Sequence, residues 1–312
     1  MNALALELTA AVGADRVWTD AMLAPFTTLK VGGPADVIVE TQSAEEIVSV
    51  IRMAHAHSVP ITLLGGGSNV LIGDRGIRGL VIRTRGGSIS MGADDLVRAD
   101  AAISINGLVR WTINRGYAGL EAWAGTPGSV GGAVFGNAHW RQQNIGDTIE
   151  SVRLARRDGA ILQIPAGRMG FGYDDSRLKR TGEVVLWAAL RVTPGADPAA
   201  LRSVARESLA FRKRTQPLES PSAGCIFMNP DTARDRVPAG IPPSAGALID
   251  RAGLKGTSRG GAKVSPAHAN FIINSGSATS AEIKELIERC RSRVADHFGV
   301  ILRDEIMTLG EF

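Results

Sequence analysis

The sequence predicts an α+β chain of two or three domains, and three observations predict it. The chain has 312 residues, too many for one core of ordinary size. Short apolar strands alternate with helix-period segments in the first third, and short strands and turns dominate the middle. Two glycine clusters lie among them, and glycine totals 37 residues, about 12% of the chain against an average of about 7%. The clusters are not periodic, so collagen-like and low-complexity readings fail. Clustered glycine instead marks turns and close backbone approach to a ligand.

Each element has its own signal. Val37-Ile-Val39 reads as a strand. Ser43-Ala-Glu-Glu46 is a capping-box pattern opening a helix whose Ala44, Ile47, Val48, Ile51 and Ala54 share one face. Pro60 ends it, and Ile61-Thr-Leu-Leu64 reads as a buried strand running into Gly65-Gly-Gly-Ser-Asn69. Val70-Leu-Ile72 and Leu80-Val-Ile82 are further strands, separated by Gly73-Asp-Arg-Gly76. A helix is predicted near Ile105 to Arg115 and a closing strand over Val184 to Val192.

Asp197-Pro198 pairs an N-cap with proline at the first helical position. The helix it opens carries Leu201, Val204, Ala205 and Leu209 as its apolar face. A boundary near Pro194 to Asp197 gives the expected domains 1–87, 88–195 and 196–312. Asp231 to Pro243 reads as a surface loop, and Phe271-Ile-Ile-Asn274 as a strand. Thr279-Ser-Ala-Glu282 is a second capping box. Its helix presents Ile283, Leu286, Ile287, Cys290 and Val294 on one face, with Gly299 at the C′ position.

Composition excludes several classes. The formal net charge is +4, small and dispersed. That suits a mixed solvated surface with a weak pull on anions. No block of like charge and no zinc-ligand spacing points to nucleic acid or a metal. The two cysteines, Cys225 and Cys290, are no disulfide framework and fit a reducing cytoplasm. The N-terminal stretch lacks a basic n-region. No apolar run approaches the roughly 18 residues of a membrane helix.

Neither glycine cluster is G-x-G-x-x-G, and the chain contains no Gly-Lys pair, which excludes a Walker loop. The first cluster follows a strand and exposes backbone N–H groups without Cβ crowding, a surface suited to a pyrophosphate. Taken alone, each cluster reads equally well as an ordinary turn. Together, without a nucleotide-binding helix motif, they favour a flavin site outside the Rossmann class.

An ordered series of segments resembles the UDP-N-acetylenolpyruvoylglucosamine reductase (MurB) family of peptidoglycan synthesis. The first are Thr27-Thr-Leu-Lys-Val-Gly-Gly-Pro-Ala-Asp36, Leu64-Gly-Gly-Gly-Ser-Asn-Val-Leu71 and Gly125-Thr-Pro-Gly-Ser-Val-Gly-Gly132. Phe171-Gly-Tyr173 with Ser176, Gln216-Pro217 and Ser222-Ala-Gly-Cys-Ile-Phe-Met-Asn-Pro230 follow. Ala245 to Gly256, Val264-Ser265, His268 to Asn274 and Phe298 to Ile306 complete it. No inserted tyrosine-bearing segment interrupts the middle, as in the shorter, type II branch.

The resemblance implies a vanillyl-alcohol-oxidase/PCMH-type FAD-binding fold of two α/β lobes, plus a C-terminal α+β substrate-binding domain. It implies FAD and NADPH as cofactors and an enolpyruvyl UDP-sugar as substrate. On this reading Val31, Gly65, Gly66, Gly67, Ser68, Asn69, Gly125, Thr126, Pro127, Gly128, Ser129, Gly131 and Gly132 bind FAD. No histidine lies in these loops, so the flavin is expected without a covalent link. Nucleic-acid and membrane partners are not expected, and a monomer or weak oligomer is.

Hydride addition to an enolpyruvyl double bond leaves an enolate-like charge, which needs fixed donors and one proton from a general acid. The family places a serine proton donor where this chain has Cys225. A thiol, with a reference pKa near 8.5, donates readily. Glu305 matches the family's C-terminal catalytic glutamate and needs a raised pKa to donate. The family arginine after the motif tyrosine is here Asp174, which no longer offers a guanidinium. Arg177, three residues on, is the expected replacement.

Tyr173, Arg212, Arg214 and Asn229 are the expected substrate contacts. Met228 stands where the family has lysine. His139 stands in an Asn-Ala-Gly position and reads first as structural. Cys290 reads as core. Two rival readings share these residues: an FAD-dependent oxidase or dehydrogenase of the same fold acting on a small alcohol or sugar, and a nucleotide-sugar-binding regulator without chemistry.

Overall fold

A computed structural model describes residues 1–141 and 143–312. The chain opens with α1 (Asn2–Val12), which buries Leu4, Leu8 and Val12 at helical spacing. Then come β1 (Val17–Met22), β2 (Pro34–Thr41), α2 (Ala44–Ala56), β3 (Ile61–Leu64), β4 (Val70–Ile72), β5 (Ile77–Thr84), β6 (Ile89–Met91) and β7 (Leu96–Asp100). Helices α3 (Ile105–Ile113) and α4 (Val130–Gly136) precede the short β8 (His139–Trp140) and β9 (Gln143–Asn144). Next are β10 (Ile149–Ala155), β11 (Ile161–Pro165), α5 (Leu178–Thr181), β12 (Val184–Arg191) and α6 (Pro198–Thr215). The chain closes with α7 (Ala245–Arg251), β13 (Ser258–Arg259), β14 (Ala262–Val264), β15 (Ile272–Asn274), α8 (Ser280–Phe298) and β16 (Met307–Leu309).

These elements pack as two units. One comprises Met1–Ala21, Ala35–Gly66 and Arg78–Phe211; the other comprises Met22–Pro34, Gly67–Ile77 and Arg212–Phe312. Most of spans 1–87 and 88–195 lies in the first unit. Within the first span, Met22–Pro34 and Gly67–Ile77 pack with the C-terminal residues.

The first unit holds a four-stranded sheet, β1-β2-β5-β3, and a five-stranded sheet, β11-β10-β12-β7-β6. It has two cores, one under α1 and α2 and one under α3 and α4. Strand β12 serves both: Val184 and Leu186 face the first core, and Val185, Ala188 and Leu190 the second. It therefore reads as apolar on both faces, and it lies mid-sheet rather than closing the sheet. Strand β3 differs from its apolar sequence: it sits at a sheet edge with only Leu64 buried.

In the second unit β13, β14 and β15 form an antiparallel sheet. β4 pairs in parallel with β16, Val70 opposite Met307. Helix α8 closes its capping box: Thr279 Oγ1 accepts the Glu282 N–H at 3.2 Å, and Glu282 Oε2 accepts the Thr279 N–H at 3.0 Å. Ile283, Leu286, Ile287, Cys290 and Val294 are all buried. Each such aliphatic side chain contributes up to about 1.5–3 kcal/mol. Gly299 ends the helix at φ 68°, the left-handed conformation glycine adopts without penalty.

Helix α6 is capped by Asp197, which accepts from Ala199 N at 2.9 Å. Its inward face is not the apolar set expected from sequence. Leu201, Ala205, Ser208 and Arg212 are buried, while Val204 and Leu209 are 40% and 46% exposed. A helix bears one inward stripe, and here two polar residues occupy it. The Ser208 hydroxyl donates to Ala122 O at 2.9 Å.

Candidate functional site

The two glycine loops meet backbone to backbone in the first unit. A Cβ on Gly66 would lie 2.9 Å from Gly128 Cα, and one on Gly65 would lie 2.6 Å from Ser129 Oγ. Only glycine permits that approach. Gly67 has φ +62°, and a Cβ there would meet Phe26 O at 2.1 Å. The Gly67 carbonyl accepts from Thr28 N at 2.9 Å. Val31 is buried, and its carbonyl accepts from Thr27 Oγ1 at 3.0 Å. Asn69 Nδ2 donates to Glu305 O at 3.0 Å.

The second loop is stapled by a residue that the motif analysis passed over. Asn106 Oδ1 accepts from Gly125 N at 2.7 Å, and Asn106 Nδ2 donates to Thr126 O at 3.1 Å. Pro127 is exposed between them. Val130 N and Gly131 N donate to Ile103 O and Ala101 O, both at 2.8 Å. Ser129 Oγ accepts from Gly132 N at 3.3 Å. Among the described residues, no internal hydrogen bond engages the N–H groups of Gly66, Gly67 and Ser68. Donors left over in a glycine-tight turn fit a diphosphate, so the residues present suit FAD.

Tyr173 lines a cavity of about 370 Å³ in the first unit, with Asn137, His139, Arg141 and Phe171. The Tyr173 and His139 rings lie 4.9 Å apart. Burial pushes the His139 pKa down, favouring the neutral ring. His139 thus faces a cavity, although its sequence suggested a structural role.

Asp174, held at φ 48°, turns from solvent to Lys179, Nζ to Oδ2 2.9 Å. Burial raises its carboxyl pKa and Lys179 pulls it back. The Arg177 guanidinium, expected to reach the substrate, pairs with Glu183. Nη2 lies 3.1 Å from Oε1 and Nε 3.0 Å from Oε2.

In the second unit the chain at 225–228 runs beside 303–306. Glu305 N donates to Ile226 O at 2.8 Å, and Met228 N to Arg303 O at 2.9 Å. This places Cys225 and Glu305 within electrostatic reach of each other, with Arg212 as the nearby cation. Burial first, then Glu305, pushes the Cys225 thiol far above its ordinary range; a hydrogen bond from Asn270 and the charge of Arg212 act the other way. Burial also lowers Arg212 to about 10, which Cys225 partly offsets. Arg214 and Asn229 are exposed, and Asn229 Oδ1 accepts from Ala245 N at 3.1 Å. Among the described residues no cluster of His, Cys, Asp and Glu could hold a metal.

Paired glycine loops with free donors, and a half-buried thiol beside a glutamate and an arginine, define an FAD-binding oxidoreductase. Residues 35–165 match the FAD binding domain family, and residues 216–309 the family described as UDP-N-acetylenolpyruvoylglucosamine reductase, C-terminal domain. A UDP-N-acetylenolpyruvoylglucosamine reductase from Gloeobacter violaceus is 39% identical over 95% of this chain and 97% of its own length. One from Chlamydia felis is 38% identical over 91% of each chain. The crystal structure of UDP-N-acetylenolpyruvylglucosamine reductase (MurB) from Thermus caldophilus superposes with a TM-score of 0.77 at 33% identity, covering 93% of this chain and 97% of that one. A berberine bridge enzyme variant, at 16% identity and a TM-score of 0.50 over 62% of this chain and 43% of its own, shares the FAD-binding fold alone. The chain belongs to the UDP-N-acetylenolpyruvoylglucosamine reductase (MurB) family.

Proposed function

We infer that this chain reduces UDP-N-acetylglucosamine enolpyruvate to UDP-N-acetylmuramate, with NADPH as reductant, in the synthesis of peptidoglycan precursors. The observation that carries this is the Cys225–Glu305–Arg212 cluster at the family's proton-donor motif. FAD held by the glycine loops would supply the hydride chemistry, with NADPH as its reductant.

The chain's own residues do the rest. FAD binding is assigned to Gly65 to Asn69, Gly125 to Ser129, Gly131, Gly132 and Val31. Cys225 gives its proton to the carbon next to the carboxylate: the S–H bond breaks, a C–H bond forms, and the electron pair stays on sulfur. A thiol held well above its ordinary pKa stays protonated at neutral pH, so the acid is loaded at every turnover. Arg212 faces the resulting thiolate. Glu305 lies beside the acid, where its negative charge helps keep the Cys225 thiol protonated until the proton is transferred. Tyr173, Arg214 and Asn229 complete the substrate contacts, and Arg177 enters as the residue whose variant separates a catalytic from a structural role.

Spans 1–87 and 88–195 act as the two FAD lobes, and 196–312 as the substrate domain. The setting is the cytoplasm of a dividing, wall-building cell, where the product serves cell shape and division; the protein acts as a monomer or weak oligomer. No helix among the described residues is long and apolar enough to cross a membrane.

The test is NADPH oxidation by the purified flavoprotein. The reading predicts consumption that depends on the enolpyruvyl UDP-sugar and yields UDP-N-acetylmuramate. Consumption indifferent to that substrate, or oxidation of an alcohol in its place, contradicts it.

A further inference from the structure

Asn270 is 3% exposed and every polar atom of it is committed. Its backbone carbonyl accepts from Ile226 N at 2.9 Å. Its side-chain Oδ1 accepts from Phe227 N at 3.0 Å, and its Nδ2 donates to Phe227 O at 2.7 Å. One carboxamide thus clamps both polar groups of the residue two positions after Cys225. The same side chain also hydrogen-bonds Cys225, and that bond favours the thiolate. A primary amide has two N–H donors. One is on Phe227 O, so the second donates and the sulfur accepts.

The clamp is itself braced. Asn270 N donates to His268 Nδ1 at 3.3 Å. Burial, the largest influence, and then the charge of Lys255 hold that ring neutral, so its proton sits on Nε2. From the other side, a Cβ on Gly246 of α7 would lie 3.2 Å from His268 Cε1 and 3.7 Å from Asn270 Cβ. Helix α7 therefore passes close to both residues at Gly246.

We propose that Asn270 is the positioning residue for the proton-donating thiol: its amide N–H occupies one face of the Cys225 sulfur, aims the S–H proton away from the clamp, and hydrogen-bonds the electron pair that stays on sulfur when the proton departs. This rests on the reading of Cys225 as the proton donor. A charge that appears on sulfur only after proton transfer is met by a donor already in place, with no reorganisation. Cys225 is half-buried, and solvent restores its proton between turnovers.

The S–H stretching band, taken as wild type minus Cys225→Ser in the substrate-free holoenzyme, tests the placement without turnover. A sulfur that accepts from an amide and donates to no protein carbonyl gives a band at the weakly bonded end of the thiol range. Asn270→Asp, which keeps the oxygen facing Phe227 N, is expected to move that band and to lower kcat about tenfold or more with KM within about threefold. In a Cys225→Ala background the same change is expected to have no further effect on kcat.

A wild-type band showing strong donation to a carbonyl, or a band unmoved in Asn270→Asp, overturns the proposal. So does an additive effect on kcat in the Cys225→Ala background. If the variant does not fold, the wild-type band decides alone. If the band behaves as stated but Cys225→Ala keeps full turnover, the proton-donor reading fails instead.

Discussion

Cys225 carries opposed pulls: burial and Glu305 raise its pKa, while Asn270 and Arg212 lower it, and the rise prevails. Cys225→Ala is therefore expected to lose at least about 10²-fold in kcat with the flavin still bound, while Cys225→Ser keeps a donor and loses less. The sign for pH follows. A group held above its reference value near 8.5 stays protonated through that pH, so kcat is expected to show no alkaline limb there. A limb near pH 8.5 that vanishes in Cys225→Ser contradicts the account. Arg177→Ala is expected to act on stability: it strands the nearly buried Glu183 carboxylate, a cost of about 1–3 kcal/mol. Thermal melting and kcat measured together check this; an unchanged melting point with kcat down a hundredfold restores Arg177 to the chemistry. Motif positions singled out Cys225 and Glu305, whereas Arg212 was read from its charge as a substrate contact and its electrostatic link to Cys225 carried no sequence signal. Asn270 was not legible, although a polar residue inside His268-Ala-Asn-Phe-Ile-Ile is a signal: buried amides occur where they bond.

At the scale of elements, capping chemistry and helical period read through well. Helix α8 starts, buries and stops where Thr279, its five apolar residues and Gly299 require. Helix α6 did not read through, because Arg212 and Ser208 displaced Val204 and Leu209 from the buried stripe. Periodicity counts apolar residues and is blind to a buried guanidinium that serves a site. Strand β3 shows the other limit: apolar content does not report whether a strand sits mid-sheet or at an edge. The glycine loops were legible as loops; their mutual contact was not, since it joins residues about sixty positions apart. Gly66→Ala tests that contact. Its Cβ would press on the Gly128 backbone, and the expected result is weakened or lost FAD retention through gel filtration, read from flavin absorbance. Full retention with an unchanged melting curve contradicts a role for the loop contact.

For the whole molecule, the sequence predicted a flavin fold with a C-terminal substrate domain, and family and fold agree with it. What stayed hidden is that Met22–Pro34 and Gly67–Ile77 pack with the C-terminal residues. Local patterns cannot report such a pairing; β4 finds β16 more than two hundred residues away. Stability should also depend on pH through His139, whose folded-state pKa is depressed by burial. A depressed group contributes stability that is present above its unfolded value near 6.5 and is lost as pH falls toward the folded one. Denaturant titrations at pH 7 and pH 5 are expected to show a smaller acid loss in His139→Gln than in wild type; an equal loss removes His139 from that dependence.

The most direct measurement follows the flavin through both half-reactions without oxygen. NADPH is expected to bleach it, and UDP-N-acetylglucosamine enolpyruvate to restore its colour with one UDP-N-acetylmuramate formed per flavin. A bleached flavin that ignores the enolpyruvyl substrate while the protein stays folded would contradict the account.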